Sequence, residues 1–137
     1  MNQLNEVYMK LILTIAFGLL SFSAIAGFNE IECEGNNGFT NVYLEIEQPF
    51  PNTSVFKRMI LSASTASTQE YFQYTVTSNR YNGFRNIVYQ GPRLRLDVDL
   101  WPDFEPRWGR NYRAIFNSSD INNGINSILN CYFPNAN

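Results

Sequence analysis

The chain has no histidine. That absence removes the Ser-His-Asp and Cys-His arrangements of nucleophilic catalysis, histidine–zinc sites and the commonest general base near neutral pH. Lysine is nearly as scarce: Lys10 and Lys57 are the whole complement, and the remaining positive charge is arginine. With a formal net charge of −2, there is no basic field to recruit nucleic acid or an anionic membrane surface. Cysteine occurs twice, at Cys33 and Cys131. One long apolar run is present, near the N-terminus, and no later segment repeats with a convincing helical period.

That run lies within residues 9–26. Lys10 leads into apolar residues 11–22, and Ala24-Ile25-Ala26 precedes Gly27. A charged start, an apolar stretch and an A-x-A site are the layout of a secretory signal peptide cleaved after Ala26. Residues 1–8, with Glu6, are unlike such a start, so translation is expected to begin at Met9. The stretch is too short for a span of roughly 20 apolar residues. Gly27 stands where a lipoprotein requires cysteine, so no stable membrane anchor is expected after signal removal. The expected product is one secreted or periplasmic domain, residues 27–137.

In an oxidising compartment Cys33 and Cys131 are expected to form a disulfide. Alternation supports the pairing: Cys33 shares a face with Ile31, and Cys131 with Leu129 and Phe133. The same alternation turns Glu30, Glu32 and Glu34 the other way.

Period two runs through the domain. Leu44 and Ile46 alternate with Glu45 and Glu47; Phe72, Tyr74 and Val76 with Gln73 and Thr75; Leu94, Leu96 and Val98 with Arg95 and Asp97. Further strands are expected at 28–34, 55–62, 84–90, 110–116 and 127–133. Asn37-Gly38, Asn82-Gly83, Gly91-Pro92 and Asn123-Gly124 supply turns. Residues 62–68 read as a polar surface loop, and 120–129 has room for one helical turn at most. The fold class is therefore all-β: a small antiparallel barrel or sandwich of about eight strands, preceded by the signal helix.

Charge is unevenly placed. Glu30, Glu32, Glu34, Glu45 and Glu47 load the first third, while Arg80, Arg85, Arg93, Arg95, Arg107, Arg110 and Arg113 follow later. The simplest expectation is two solvated faces that attract each other. Residues 101–109, rich in proline and aromatics, read as an inter-strand connection on the surface. Trp101, Phe104, Arg107 and Trp108 there are the candidate binding residues, because tryptophan and arginine anchor protein interfaces. Aromatic faces beside acids and arginines also suit a glycan. The competing expectation is that the loop caps the barrel, with arginine stacked on tryptophan.

Catalysis finds little support. Ser54-Val-Phe-Lys57 matches S-x-x-K, yet it precedes a strand and its partner motifs are absent. The pairs Asp97/Asp99 and Asp103/Glu105 have a separation that glycoside hydrolysis tolerates. Neutralisation of Asp97 and Asp99 by Arg93 and Arg95 is the plainer expectation. Asp97-x-Asp99 lacks the further oxygen ligands of a calcium loop, so no metal and no cofactor are expected. Asn52 and Asn117 head N-x-[ST] sequons, which place glycans on loops in a eukaryotic secretory route.

No family is matched motif by motif. In size, compartment and architecture the chain is similar to the small two-cysteine exported β-barrels that inhibit host lysozymes, a likeness that implies binding rather than catalysis. The expected function is binding of a periplasmic or extracellular macromolecule, a protein or less readily a glycan. A structural, self-assembling envelope role is the alternative, and a carboxylate-based glycan hydrolase the weakest.

Overall fold

Alternating apolar and polar side chains require a sheet with one dry face, and closing that sheet on itself removes its edges. The computed structural model describes residues 28–48, 56–121 and 124–136. The leader with Ala24, Ala26 and Gly27 lies outside the described residues, as do Asn52, Ser54 and Asn123. The strands are β1 (Phe28–Asn36), β2 (Asn41–Gln48), β3 (Phe56–Ser64), β4 (Gln69–Tyr81), β5 (Asn86–Gly91), β6 (Leu94–Asp99), β7 (Asn111–Ser118) and β8 (Ile125–Tyr132). They pair antiparallel in chain order, and β8 returns to β1, so the sheet is a closed barrel rather than a sandwich.

Seven of the eight ladders join sequence neighbours; β1–β8 alone is long-range. That seam is short, with Glu32 opposite Tyr132, Cys33 opposite Cys131 and Glu34 opposite Asn130. The disulfide sits at its centre, with Cα atoms 4.0 Å apart and both residues buried. Such a bond is compatible with an oxidising extracellular or periplasmic location. Next to it, β8 crosses β1 closely at Gly35, where an added Cβ would lie 2.5 Å from the Ile128 carbonyl oxygen.

The interior is filled. Ile31, Leu44, Ile46, Met59, Leu61, Leu96, Phe116 and Leu129 are fully buried, and each such side chain contributes roughly 1.5–3 kcal/mol. The upper end of the barrel carries the turns at 37–40, 65–68 and 92–93, together with residues 119–121 and Gly124. The lower end carries the start of β1, the turn at 82–85, the long loop at 100–110 and residues 133–136.

Several expectations need correction. The polar loop at 62–68 shrinks to 65–68, because Ser62 and Ser64 continue β3 opposite Tyr71 and Gln69. The described part of 120–129 holds no helical turn; β8 begins at Ile125. Asn117 lies within β7, opposite Arg95 and Asn126, and not on a loop. Glu30 does not share the outer face with Glu32. The register against β2 slips between Asn29 and Ile31, and this bulge re-aims the Glu30 side chain inward. The acidic first third and the later arginines are not joined either. Among the described residues, Glu30 pairs with Lys57 and Glu47 with Arg58, whereas the later arginines pair with Asp97, Asp99, Asp103, Glu105 and Asp120.

Candidate functional site

Residues 100–110 bridge β6 and β7 across the lower end. The loop is fixed by its polar residues rather than by its rings. Leu100 is fully buried and its carbonyl accepts the Asp103 N–H at 2.6 Å. The buried Asp103 carboxylate accepts the Tyr112 hydroxyl at 2.8 Å and lies 3.3 Å from Arg110 and 3.6 Å from Arg107. The Tyr112 oxygen in turn accepts the Arg107 N–H at 2.9 Å. At the loop's start, Trp101 N–H donates to Asp99 at 2.9 Å. Arg80, near the lower end of β4, donates to the carbonyl oxygens of Phe84 and Phe104 and so ties the 82–85 turn to the loop.

The rings are left outside. Trp101 is 64% exposed, Phe104 64% and Trp108 73%, and Phe84 from the adjacent turn is 63% exposed. The capping expectation holds in part. The loop folds back onto the barrel through Leu100 and Asp103, and the Arg85 guanidinium lies 4.6 Å from the centre of the Trp101 ring. Trp101, Phe104 and Trp108 nevertheless do not enter the core. Arg107 presents an exposed side chain directed toward Asp103.

Comparison of the chain with family models, with curated proteins and with solved structures finds no match in any of the three. The reading of this end therefore rests on its own chemistry.

The carboxylates considered for hydrolysis have structural partners. Asp97 accepts Tyr81 O–H and Asn86 Nδ2–H and lies 3.6 Å from Arg95. Asp99 is held at 3.1 Å by Arg85, not by Arg93, which turns to Asp120 at 3.3 Å. The Arg85 hydrogen bond, helped by Trp101 N–H, holds the Asp99 carboxyl below the usual carboxylate range. Lys57 of the S-x-x-K match lies on strand β3, in phase with buried Met59 and Leu61. Among the described residues there is no cluster of His, Cys, Asp or Glu able to hold a metal.

Beneath the loop lies a polar layer that the sequence reading missed. Lys57 Nζ is 2.5 Å from Glu30, and Tyr89 O–H donates to the other Glu30 oxygen at 2.6 Å. Lys57 and Arg80 could have been found, since both share the parity of apolar neighbours on their strands. Glu30 could not, because no residue pattern marks its bulge.

The hydroxyls of Tyr43, Tyr81, Tyr89, Tyr112 and Tyr132 are paired with acids, while that of Tyr74 is buried without a hydrogen-bond partner among the described residues. Tyr43, Tyr74, Tyr81, Tyr89 and Tyr112 all titrate above their ordinary 10.0, burial being the main cause. Tyr132 does so mainly through its hydrogen bond to Glu32. Above pH 10 an unfolded chain releases these protons while the folded chain keeps them. The contribution of these tyrosines to stability is therefore fully present below pH 10 and is lost as pH rises beyond it. We expect tyrosinate absorbance and loss of the far-ultraviolet β-signal to rise together in one alkaline transition. Ionisation of these six tyrosines well before unfolding contradicts the assignment.

Proposed function

We propose that the protein is an exported, non-enzymatic β-barrel that binds another macromolecule, a periplasmic or extracellular protein, through its lower end. One observation carries the reading: Trp101, Phe104, Trp108 and Phe84 stay exposed on backbone tied down by Asp103, Tyr112 and Arg80. Large aromatic rings held in place lose little conformational freedom on binding, which is how interface anchors gain affinity. Arg107 at the rim adds planar hydrogen-bonding capacity.

The test is capture from the exported fraction with the wild-type chain and with Trp101→Ala/Trp108→Ala. Because the rings lie outside the core, the variant is expected to melt within a few degrees of wild type, about 1 kcal/mol or less. It is expected to lose the captured protein. Unfolding of the variant makes the rings structural, and unchanged capture removes them from the interface.

A self-assembling envelope role is a second reading, favoured by one feature of β4. Residues 69–76 pair with β3 on one side, whereas the β5 ladder begins only at Thr77. Among the described residues that leaves a strand edge to which a second copy could add. Concentration-dependent elution in size-exclusion chromatography supports this reading, and a strictly monomeric profile removes it.

A further inference from the structure

The two sides of β4, Gln69–Tyr81, are used unequally. Toward β3 its ladder runs without a register shift from Thr77, opposite Phe56, to Gln69, opposite Ser64. Toward β5 it begins only at Thr77, opposite Gln90, because β5 ends at Gly91.

Which backbone groups are left over follows from the β3–β4 turn. Thr65 N–H donates to the Thr68 carbonyl at 2.8 Å, so these residues form a hydrogen-bonded pair. Such pairs alternate along an antiparallel ladder. Glu70, Phe72, Tyr74 and Val76 therefore turn their backbone groups to β3. The N–H and C=O of Gln69, Tyr71, Gln73 and Thr75 point the other way, where no described strand pairs with them. Sheets ordinarily guard such an edge with lysine, proline, a bulge or shortness. None is present here. From Met59 to Asn79 the only charged residue is Glu70, and Tyr71 on the outer face is 71% exposed.

We propose that a second copy of the chain covers this edge, β4 pairing antiparallel with its counterpart across a two-fold axis at Tyr71. The proposal rests on the self-assembly reading and gives it a register and a limit. With the axis at Tyr71, Gln69 stands opposite the partner's Gln73 and the two Tyr71 residues stand opposite each other. Each of these pairs exchanges two backbone hydrogen bonds. An axis at Phe72 would instead set Thr68 opposite the partner's Val76, the place its own Gly91 occupies. A foreign strand needs a charge pattern to select it, and this edge offers a single carboxylate. A second copy needs none, since it brings the same unguarded backbone in the complementary direction. The two Glu70 side chains would lie diagonally, roughly 7–8 Å apart, a mild repulsion. Pairing consumes the edge on both copies, so assembly closes at two and does not grow into a filament.

The experiment is analytical ultracentrifugation of the oxidised chain from about 1 μM to 1 mM, the span of a weak, small interface. A monomer–dimer equilibrium with nothing larger is expected. Tyr71→Lys and Tyr71→Glu both change an exposed side chain, and each should melt near wild type yet stay monomeric. Mixed in equal amounts they should dimerise at least about tenfold more tightly than either alone, because opposite charges then meet at the axis. Glu70→Gln should tighten the dimer severalfold. A monomeric wild type overturns this proposal together with the self-assembly reading. Association that both Tyr71 variants retain leaves that reading standing on another surface and overturns this one. Species larger than a dimer, or a mixture no tighter than its components, overturn the two-fold register. Trp101→Ala/Trp108→Ala, at the opposite end of the barrel, should leave dimerisation within about twofold of wild type.

Discussion

Removing the disulfide, by reduction or by Cys33→Ala/Cys131→Ala, is expected to cost on the order of 4–5 kcal/mol of stability at 25 °C. The size follows from the 98-residue separation of the two cysteines, which confines nearly the whole unfolded domain to one ring. For a domain of this length each kcal/mol moves the melting temperature by about 4–8 °C, so a fall of roughly 15–40 °C is expected. The loss should be unevenly felt. β1 keeps its full ladder with β2, and β8 its ladder with β7, while the seam between them has three paired positions at each strand. Hydrogen exchange should therefore accelerate first at residues 32–34 and 130–132. Denaturant titration of the double variant decides the matter. A cost below about 1 kcal/mol means that the hydrogen-bonded seam alone keeps the barrel shut.

Gly35→Ala is expected to destabilise by about 1–3 kcal/mol, the usual penalty for overpacking a closed interior, and Gly35→Val by more. The new Cβ meets the Ile128 carbonyl oxygen at 2.5 Å and Leu129 Cδ2 at 2.7 Å. A side chain can swing away from the second contact. The first is backbone, so β8 itself must move off β1, one residue beyond the last pair of the seam. Thermal melts of the oxidised variants measure the effect. A loss under about 0.5 kcal/mol for Gly35→Ala shows that the crossing has room to spare.

Much of the architecture was legible because side-chain parity has a direct physical cause. A strand with one dry face must alternate, and Leu94, Leu96 and Val98 against Arg95 and Asp97 left no other reading. The same parity placed both cysteines inside and made β1 and β8 neighbours. It failed where the backbone departs from strict alternation: one extra residue near Glu30 sent a carboxylate inward that counting had turned outward. The aromatic loop was legible as a surface connection. Its internal scaffold was not, because the Asp103–Tyr112 bond links a loop to the next strand by geometry that no spacing rule encodes.

Barrel closure also means that the chain has no privileged first strand. Asn135 Nδ2 donates to the Asn29 carbonyl at 2.8 Å, so the first and last described segments already touch. If they were joined and the chain reopened between Thr65 and Thr68, every ladder could persist in a circular permutant. The disulfide would then span a short hairpin instead of a ring of nearly the whole domain. By the same chain-entropy reasoning its contribution would drop toward about 3 kcal/mol, the value for a loop of some 15 residues. What the Cys33–Cys131 bond is worth is thus a property of where the chain is cut as much as of the two sulfurs it joins.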